Sequence, residues 1–153
     1  MKALQHRVLV CEDDPAMVRI FQFLMQKQGI GPVLTTSRGN TVLQLVQREK
    51  PKLILLDLML PGKDGLTVLK ELKVDPTTSA IPVIVVSGIE SQDQVKQAMD
   101  AGAADYVMKP FDSMELGARL KQFLETLEAP AQPGTDSTNR GGPPSGMIPG
   151  GSL

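Results

Sequence analysis

The stretch Leu53-Ile-Leu-Leu-Asp-Leu-Met-Leu-Pro-Gly-Lys-Asp-Gly65 constrains the fold of this chain more than any other. Four consecutive apolar residues, Leu53 to Leu56, deliver one carboxylate, Asp57, and the chain breaks soon afterwards at Pro61-Gly62. A run that short, closed by turn residues, reads as a strand covered on both faces, and such strands belong to parallel sheets. Asp57 then falls at the carboxyl end of the strand, the edge where open α/β sheets bind ligands. Taken alone, an acid before Pro-Gly is explained by capping the turn. The other strand ends have to overturn that explanation.

The same grammar recurs along the chain. Arg7-Val-Leu-Val-Cys11 predicts a first strand that runs into Glu12-Asp13-Asp14, and Pro15 opens a helix where its missing N–H costs nothing. Met17, Ile20, Phe21 and Leu24 follow the i, i+3, i+4, i+7 spacing of a core-facing stripe. Val18, Phe23 and Met25 fall off that stripe and either widen the buried face or form a docking surface. Val33 to Thr36 is a weaker second strand, and a second helix from about Asn40 to Glu49 turns Val42, Leu45 and Val46 inward. Leu66, Leu69 and Leu72 mark a third helix, after which Ile81 to Val86 is a strand ending at Ser87-Gly88. A thinly apolar helix from about Ser91 to Ala101 has Val95, Ala98 and Met99 as its inner face. Asp105 to Met108 is a short strand ending in Lys109-Pro110, and the last helix, Ser113 to about Leu127, carries Leu116, Leu120, Phe123 and Leu127 inward with Ser113 as its N-cap. Strands alternating with helices predict a parallel sheet with helices on both faces and right-handed crossovers.

Composition matters at three points. From Pro130 to Leu153 there are six Gly and five Pro in 24 residues, too little apolar surface to offset the entropy of ordering, so residues 1–129 read as one folded domain and 130–153 as a disordered tail or linker. Lys and Arg total 16 against 17 acids, which generates no field to gather nucleic acid or an anionic membrane. No membrane span or export signal is visible, so the protein reads as cytoplasmic. A single cysteine, Cys11, excludes an internal disulfide and a cysteine-based zinc cage, and the single histidine, His6, has no ligand partner at metal spacing.

The strand ends carry the chemistry: three acids after the first strand, Asp57 after the third, Ser87 after the fourth and Lys109 after the fifth, all opening on one edge of the sheet. Two carboxylates about 5 Å apart repel by roughly 3 kcal/mol at an effective dielectric of 20. A marginally stable domain gathers three of them only if something neutralises them. A hard divalent cation does so, and Mg2+ suits because it takes oxygen ligands and keeps exchangeable waters for phosphate. Acids for a metal, one central carboxylate, a hydroxyl and a lysine make a site for phosphoryl transfer onto Asp57.

The chain resembles the receiver domain of two-component response regulators from Arg7 to about Leu127. The matching pieces are Glu12-Asp13-Asp14-Pro15, Asp57 with its Leu-Met-Leu-Pro-Gly-Lys-Asp-Gly continuation, Ser87-Gly88, and Ala103 through Lys109-Pro110-Phe111. The resemblance implies a flavodoxin-like (βα)5 three-layer sandwich with strand order 2-1-3-4-5. It implies that Asp57 is the phosphoacceptor and that Asp13, Glu12, Asp57 and the backbone carbonyl of Met59 hold Mg2+. Ser87 would follow the phosphoryl group, Lys109 would pair with it ahead of a cis Lys109-Pro110 bond, and Tyr106 would change rotamer with Ser87. The donor would be a sensor histidine kinase or histidine phosphotransfer protein, and the output a downstream protein target. Asp14 leaves open which two of the three acids bind metal. Met59 and Ile89, which flank the phosphoryl site in the family pattern, offer no polar group to position water, which implies slow hydrolysis. The domain would promote its own phosphorylation and dephosphorylation without conventional turnover.

Rival readings meet specific obstacles. A flavodoxin needs a hydroxyl- and glycine-rich loop where Glu12-Asp13-Asp14 would repel phosphate. A haloacid dehalogenase-type phosphatase needs an acid at position 59, which is Met. The remaining alternatives are a receiver-like scaffold that is not phosphorylated, or a receiver fragment of a larger regulator or hybrid kinase.

Overall fold

A computed structural model describes residues 4–89 and 91–128. The expected tail, 130–153, lies outside the described residues, as do the two ends of the expected domain span. The strands are β1 (Leu4–Cys11), β2 (Ile30–Thr36), β3 (Leu53–Leu56), β4 (Val83–Ser87) and β5 (Asp105–Met108). The helices are α1 (Pro15–Lys27), α2 (Val42–Glu49), α3 (Gly65–Val74), α4 (Gln92–Asp100) and α5 (Ser113–Glu128), with a 3-10 turn at Gly39–Thr41 before α2. All strand pairs are parallel, in the order β2-β1-β3-β4-β5. That is the doubly wound, flavodoxin-like sandwich expected, with the reversal of strand order falling between β1 and β3.

Alternation along each strand divides the core into two layers. Leu9 and Cys11, Ile54 and Leu56, and Val83 and Val85 face one way and pack with Val46 of α2, Val68, Leu69 and Leu72 of α3, and Ala98 of α4. Val8 and Val10, Leu53 and Leu55, Ile84 and Val86, and Val107 face the other way, onto Phe21, Leu24 and Met25 of α1 and Leu116, Leu120 and Leu124 of α5. Each fully buried aliphatic side chain contributes about 1.5–3 kcal/mol, so the central strands are held by their side chains on both faces. On the second face the Phe21 and Phe111 rings stack with centroids 5.6 Å apart.

Several helix faces differ from expectation. In α1 the buried set is Phe21, Leu24 and Met25, while Ile20 is 37% exposed and Phe23 55% exposed, so the inner stripe is rotated toward Met25. In α5 Leu124 is fully buried and Leu127 is exposed, and in α4 Met99 faces outward, leaving Ala98 as the only fully buried residue of that helix. The α5 cap is Asp112, not Ser113: Asp112 Oδ1 accepts from Glu115 N at 3.0 Å, and Ser113 is already helical. β2 begins three residues before Val33, at Ile30, and includes a cis Gly31–Pro32 bond; β4 starts at Val83 rather than Ile81. Among the described residues, no helix is long and apolar enough to cross a membrane.

Candidate functional site

Backbone pairing extends one residue past the ends of β1, β3 and β5 and there delivers the polar residues. Glu12 N donates to Thr36 O at 3.0 Å, Asp57 N to Cys11 O at 3.0 Å, and Lys109 N to Ser87 O at 2.9 Å. Each site residue is therefore fixed to the end of a neighbouring strand before its side chain makes any contact. The loop after β3 is anchored the same way on its apolar side: Leu58 and Leu60 are buried while Met59 between them is exposed. Gly65 N closes the loop onto Leu58 O at 2.9 Å.

At this edge Glu12, Asp13 and Asp57 each place a carboxylate oxygen so that all lie within 4.8 Å of one another. Glu12 and Asp57 are buried; Asp13 is exposed. Lys109 Nζ donates to Glu12 Oε1 at 2.7 Å and to Asp57 Oδ2 at 3.0 Å. Burial opposes the charged form of Lys109, but the hydrogen bonds to Glu12 and Asp57 and the charges of those two carboxylates together outweigh it and raise its pKa. The balance runs the other way at Glu12, where burial, with the Asp57 charge adding to it, outweighs the Lys109 hydrogen bond and raises the carboxyl above its ordinary value. Glu12 Oε2 also accepts from Asp14 N at 3.2 Å, and Asp57 Oδ1 accepts from Met59 N at 2.9 Å, which fixes the orientation of both carboxylates.

Asp14 is spoken for elsewhere. Its Oδ1 accepts from Ala16 N at 3.0 Å as the N-cap of α1, where a carboxylate also complements the helix amino end. That separates it from the cluster and resolves which acids converge, a distinction invisible in three adjacent acidic letters. Three carboxylate oxygen donors of this kind suit a hard divalent cation.

Ser87 and Tyr106 do not hydrogen-bond to the acids. Both engage Ile89: its N–H donates to Ser87 Oγ at 3.3 Å, and Tyr106 Oη donates to its carbonyl at 2.8 Å. Ser87 is fully buried, and Tyr106 packs half-buried against the α2–α4 side of the core, where burial pushes its phenol pKa up. The Lys109–Pro110 bond is cis. Burial likewise pushes the Cys11 thiol up, as suits a small core residue. His6 is buried near the opposite end of the sheet, 3.7 Å from Glu128, and takes no part in the cluster.

The model of the response regulator receiver domain family matches residues 8–121. The response regulator PleD of Caulobacter vibrioides is 38% identical over 117 residues, which cover 76% of this chain and 26% of PleD, so this chain spans about a quarter of that relative's length. The phosphorylated cyanobacterial phytochrome response regulator RcpA superposes with a TM-score of 0.71 at 30% identity, over 84% of this chain and 98% of that one. The receiver domain of the sensor histidine kinase PA1611 from Pseudomonas aeruginosa PAO1, solved with magnesium in its active-site cleft, superposes with a TM-score of 0.70 at 25% identity, over 78% and 97% of the respective chains. With the family pattern matched over most of its length on the expected sheet order, this chain belongs to the response regulator receiver domain family.

Proposed function

We propose that this chain is a phosphorylation switch in a two-component phosphorelay, with Asp57 as the residue modified. The observation that carries the reading is the convergence of one carboxylate oxygen each from Glu12, Asp13 and Asp57 within 4.8 Å on the carboxyl edge of the sheet, with Lys109 Nζ bridging Glu12 and Asp57. Glu12, Asp13 and Asp57, with the Met59 carbonyl, would hold Mg2+. When bound, the ion supplies positive charge for the equatorial phosphoryl oxygens. Asp57 Oδ attacks the phosphorus of a phosphohistidine on a sensor kinase or phosphotransfer protein. The O–P bond forms as the P–N bond breaks, and its electron pair returns to the imidazole nitrogen, which takes up a proton. Asp57 is oriented for this by Met59 N–H, while Lys109 moves its hydrogen bond from the carboxylate to the incoming phosphoryl oxygens.

Ser87 and Tyr106 provide the readout in this scheme. Both are tied to Ile89 in the loop before α4, so a Ser87 hydroxyl drawn toward the phosphoryl group releases one of the two restraints on that loop. The α4–β5–α5 face then presents a different surface to its protein target. PA1611, solved with magnesium, and phosphorylated RcpA support the reading by likeness.

Incubation with acetyl phosphate or phosphoramidate and Mg2+, followed by intact mass measurement, tests it. One phosphoryl group should add to the wild type and none to Asp57→Asn or to the wild type in excess EDTA. No addition from several donors would instead favour a scaffold that binds partners without being phosphorylated.

A further inference from the structure

The segment between β2 and the body of α2 touches both loops that carry the acids. At one end, Thr36 O accepts from Glu12 N at 3.0 Å; farther on, Gly39 N donates to Pro61 O at 2.9 Å. The segment is braced on itself, with the Thr36 and Thr41 hydroxyls 2.6 Å apart and Thr41 Oγ1 donating to Arg38 O at 3.0 Å. Gly39 is buried although its neighbours Arg38 and Asn40 are exposed. A Cβ there would lie 1.8 Å from Lys63 O and 2.8 Å from Lys63 C, so glycine is required by the approach of two backbones. Gly65 makes a second such contact from the other side, where a Cβ would lie 2.4 Å from Leu58 Cα and 2.6 Å from Asp57 O. The loop from Leu58 to Asp64 is therefore clamped between two glycines. Met59 to Gly62 lie between the two contacts, and an atom added at position 39 presses on Lys63 next to them.

We propose that residues Thr36–Thr41 form a strut that sets the spacing between Glu12–Asp13 and the Asp57 loop, with Gly39 a positioning residue for the divalent-cation site. The inference rests on the metal reading given above and extends it to a residue that touches none of the ligands' side chains.

Titration calorimetry of Mg2+ into the full chain tests it with four proteins: wild type, Gly39→Ala, Thr41→Val, and Leu124→Val as a core variant on the opposite face of the sheet. Disturbing the support of a metal site weakens binding about tenfold, and Gly39→Ala should show a loss of that order. Thr41→Val, which removes the hydroxyl brace and keeps the shape, should show a smaller loss in the same direction. Leu124→Val should lower stability and bind Mg2+ as the wild type does. Wild-type affinity in Gly39→Ala, or an equal loss in Leu124→Val, would overturn the strut and leave the metal reading standing. Should Gly39→Ala fail to fold, Thr41→Val decides, and unchanged affinity in it counts against the strut. A wild type that binds no Mg2+ would overturn the metal reading and the strut with it.

Discussion

At the amino end of α1, Glu12 carries a buried carboxylate that Lys109 holds at 2.7 Å. Burial disfavours its charge more than the lysine favours it, so its pKa is raised. The folded protein then holds this proton more tightly than the unfolded chain does. Stabilisation linked to Glu12 is full below the ordinary carboxylate value and is lost as pH rises through the raised folded value. Glu12→Gln cannot ionise, and should remove that part of the pH dependence when urea midpoints are compared in EDTA between about pH 4 and about pH 7. Identical slopes for the two proteins would contradict the raised pKa. Met59 belongs to the same scale. Its side chain is 65% exposed beside Asp57, and it has nothing with which to orient a water. Met59→Asn adds an amide there and should shorten the lifetime of the phosphorylated form, followed by intact mass over time, while an unchanged lifetime would speak against a hydrolytic step limited at this position.

Among the elements, helix starts do as much as strand ends to position the site. Asp64 caps α3, its Oδ1 accepting from Thr67 N at 3.0 Å and its Oδ2 from Thr67 Oγ1 at 2.8 Å, and these bonds lower its pKa. The associated stability is present above the ordinary aspartate value and is lost as pH falls through the lowered one. Asp64→Ala should cost about 1 kcal/mol at neutral pH by urea denaturation, with the gap from wild type closing in acid. A gap that persists in acid would mean that the cap is not what was removed. Elements also show where sequence reading stops. Strands β1, β3 and β4 were legible because apolar runs closed by polar residues have one sensible placement. Helix faces were less so: in α1, Ile20 and Met25 lie on opposite flanks of Phe21 and Leu24, and the sheet surface under the helix, not the periodicity, selects Met25. In α5 Leu124 is fully buried while Leu127, in the last turn, is 47% exposed although the periodicity places it on the same stripe as Leu116 and Leu120. Asp112 displaced Ser113 as cap because both are good capping residues one position apart. Gly39 offered no signal at all, because its requirement comes from the backbone of Lys63, in a separate loop further along the chain.

For the molecule as a whole, the strand order brings the separate pieces to one place. β1 and β3 are neighbours at the point where the strand order reverses, so residues 12 and 57, far apart in the chain, follow adjacent strands. β4 and β5 then supply Ser87 and Lys109 to the same edge. Four polar residues that each had an ordinary explanation in the sequence are brought to one edge by topology, three of them, Glu12, Asp57 and Lys109, in direct contact, which is why their joint pattern was informative where each alone was not. On the proposed function, this cluster directs phosphorylation to Asp57 and to no other acid. Borohydride reduction of the protein after treatment with acetyl phosphate and Mg2+ converts an aspartyl phosphate to homoserine, which peptide sequencing by mass spectrometry locates. Homoserine is expected at position 57 alone; homoserine at Asp13 or Asp14, or none anywhere in a protein shown to be folded, would contradict phosphorylation directed to Asp57.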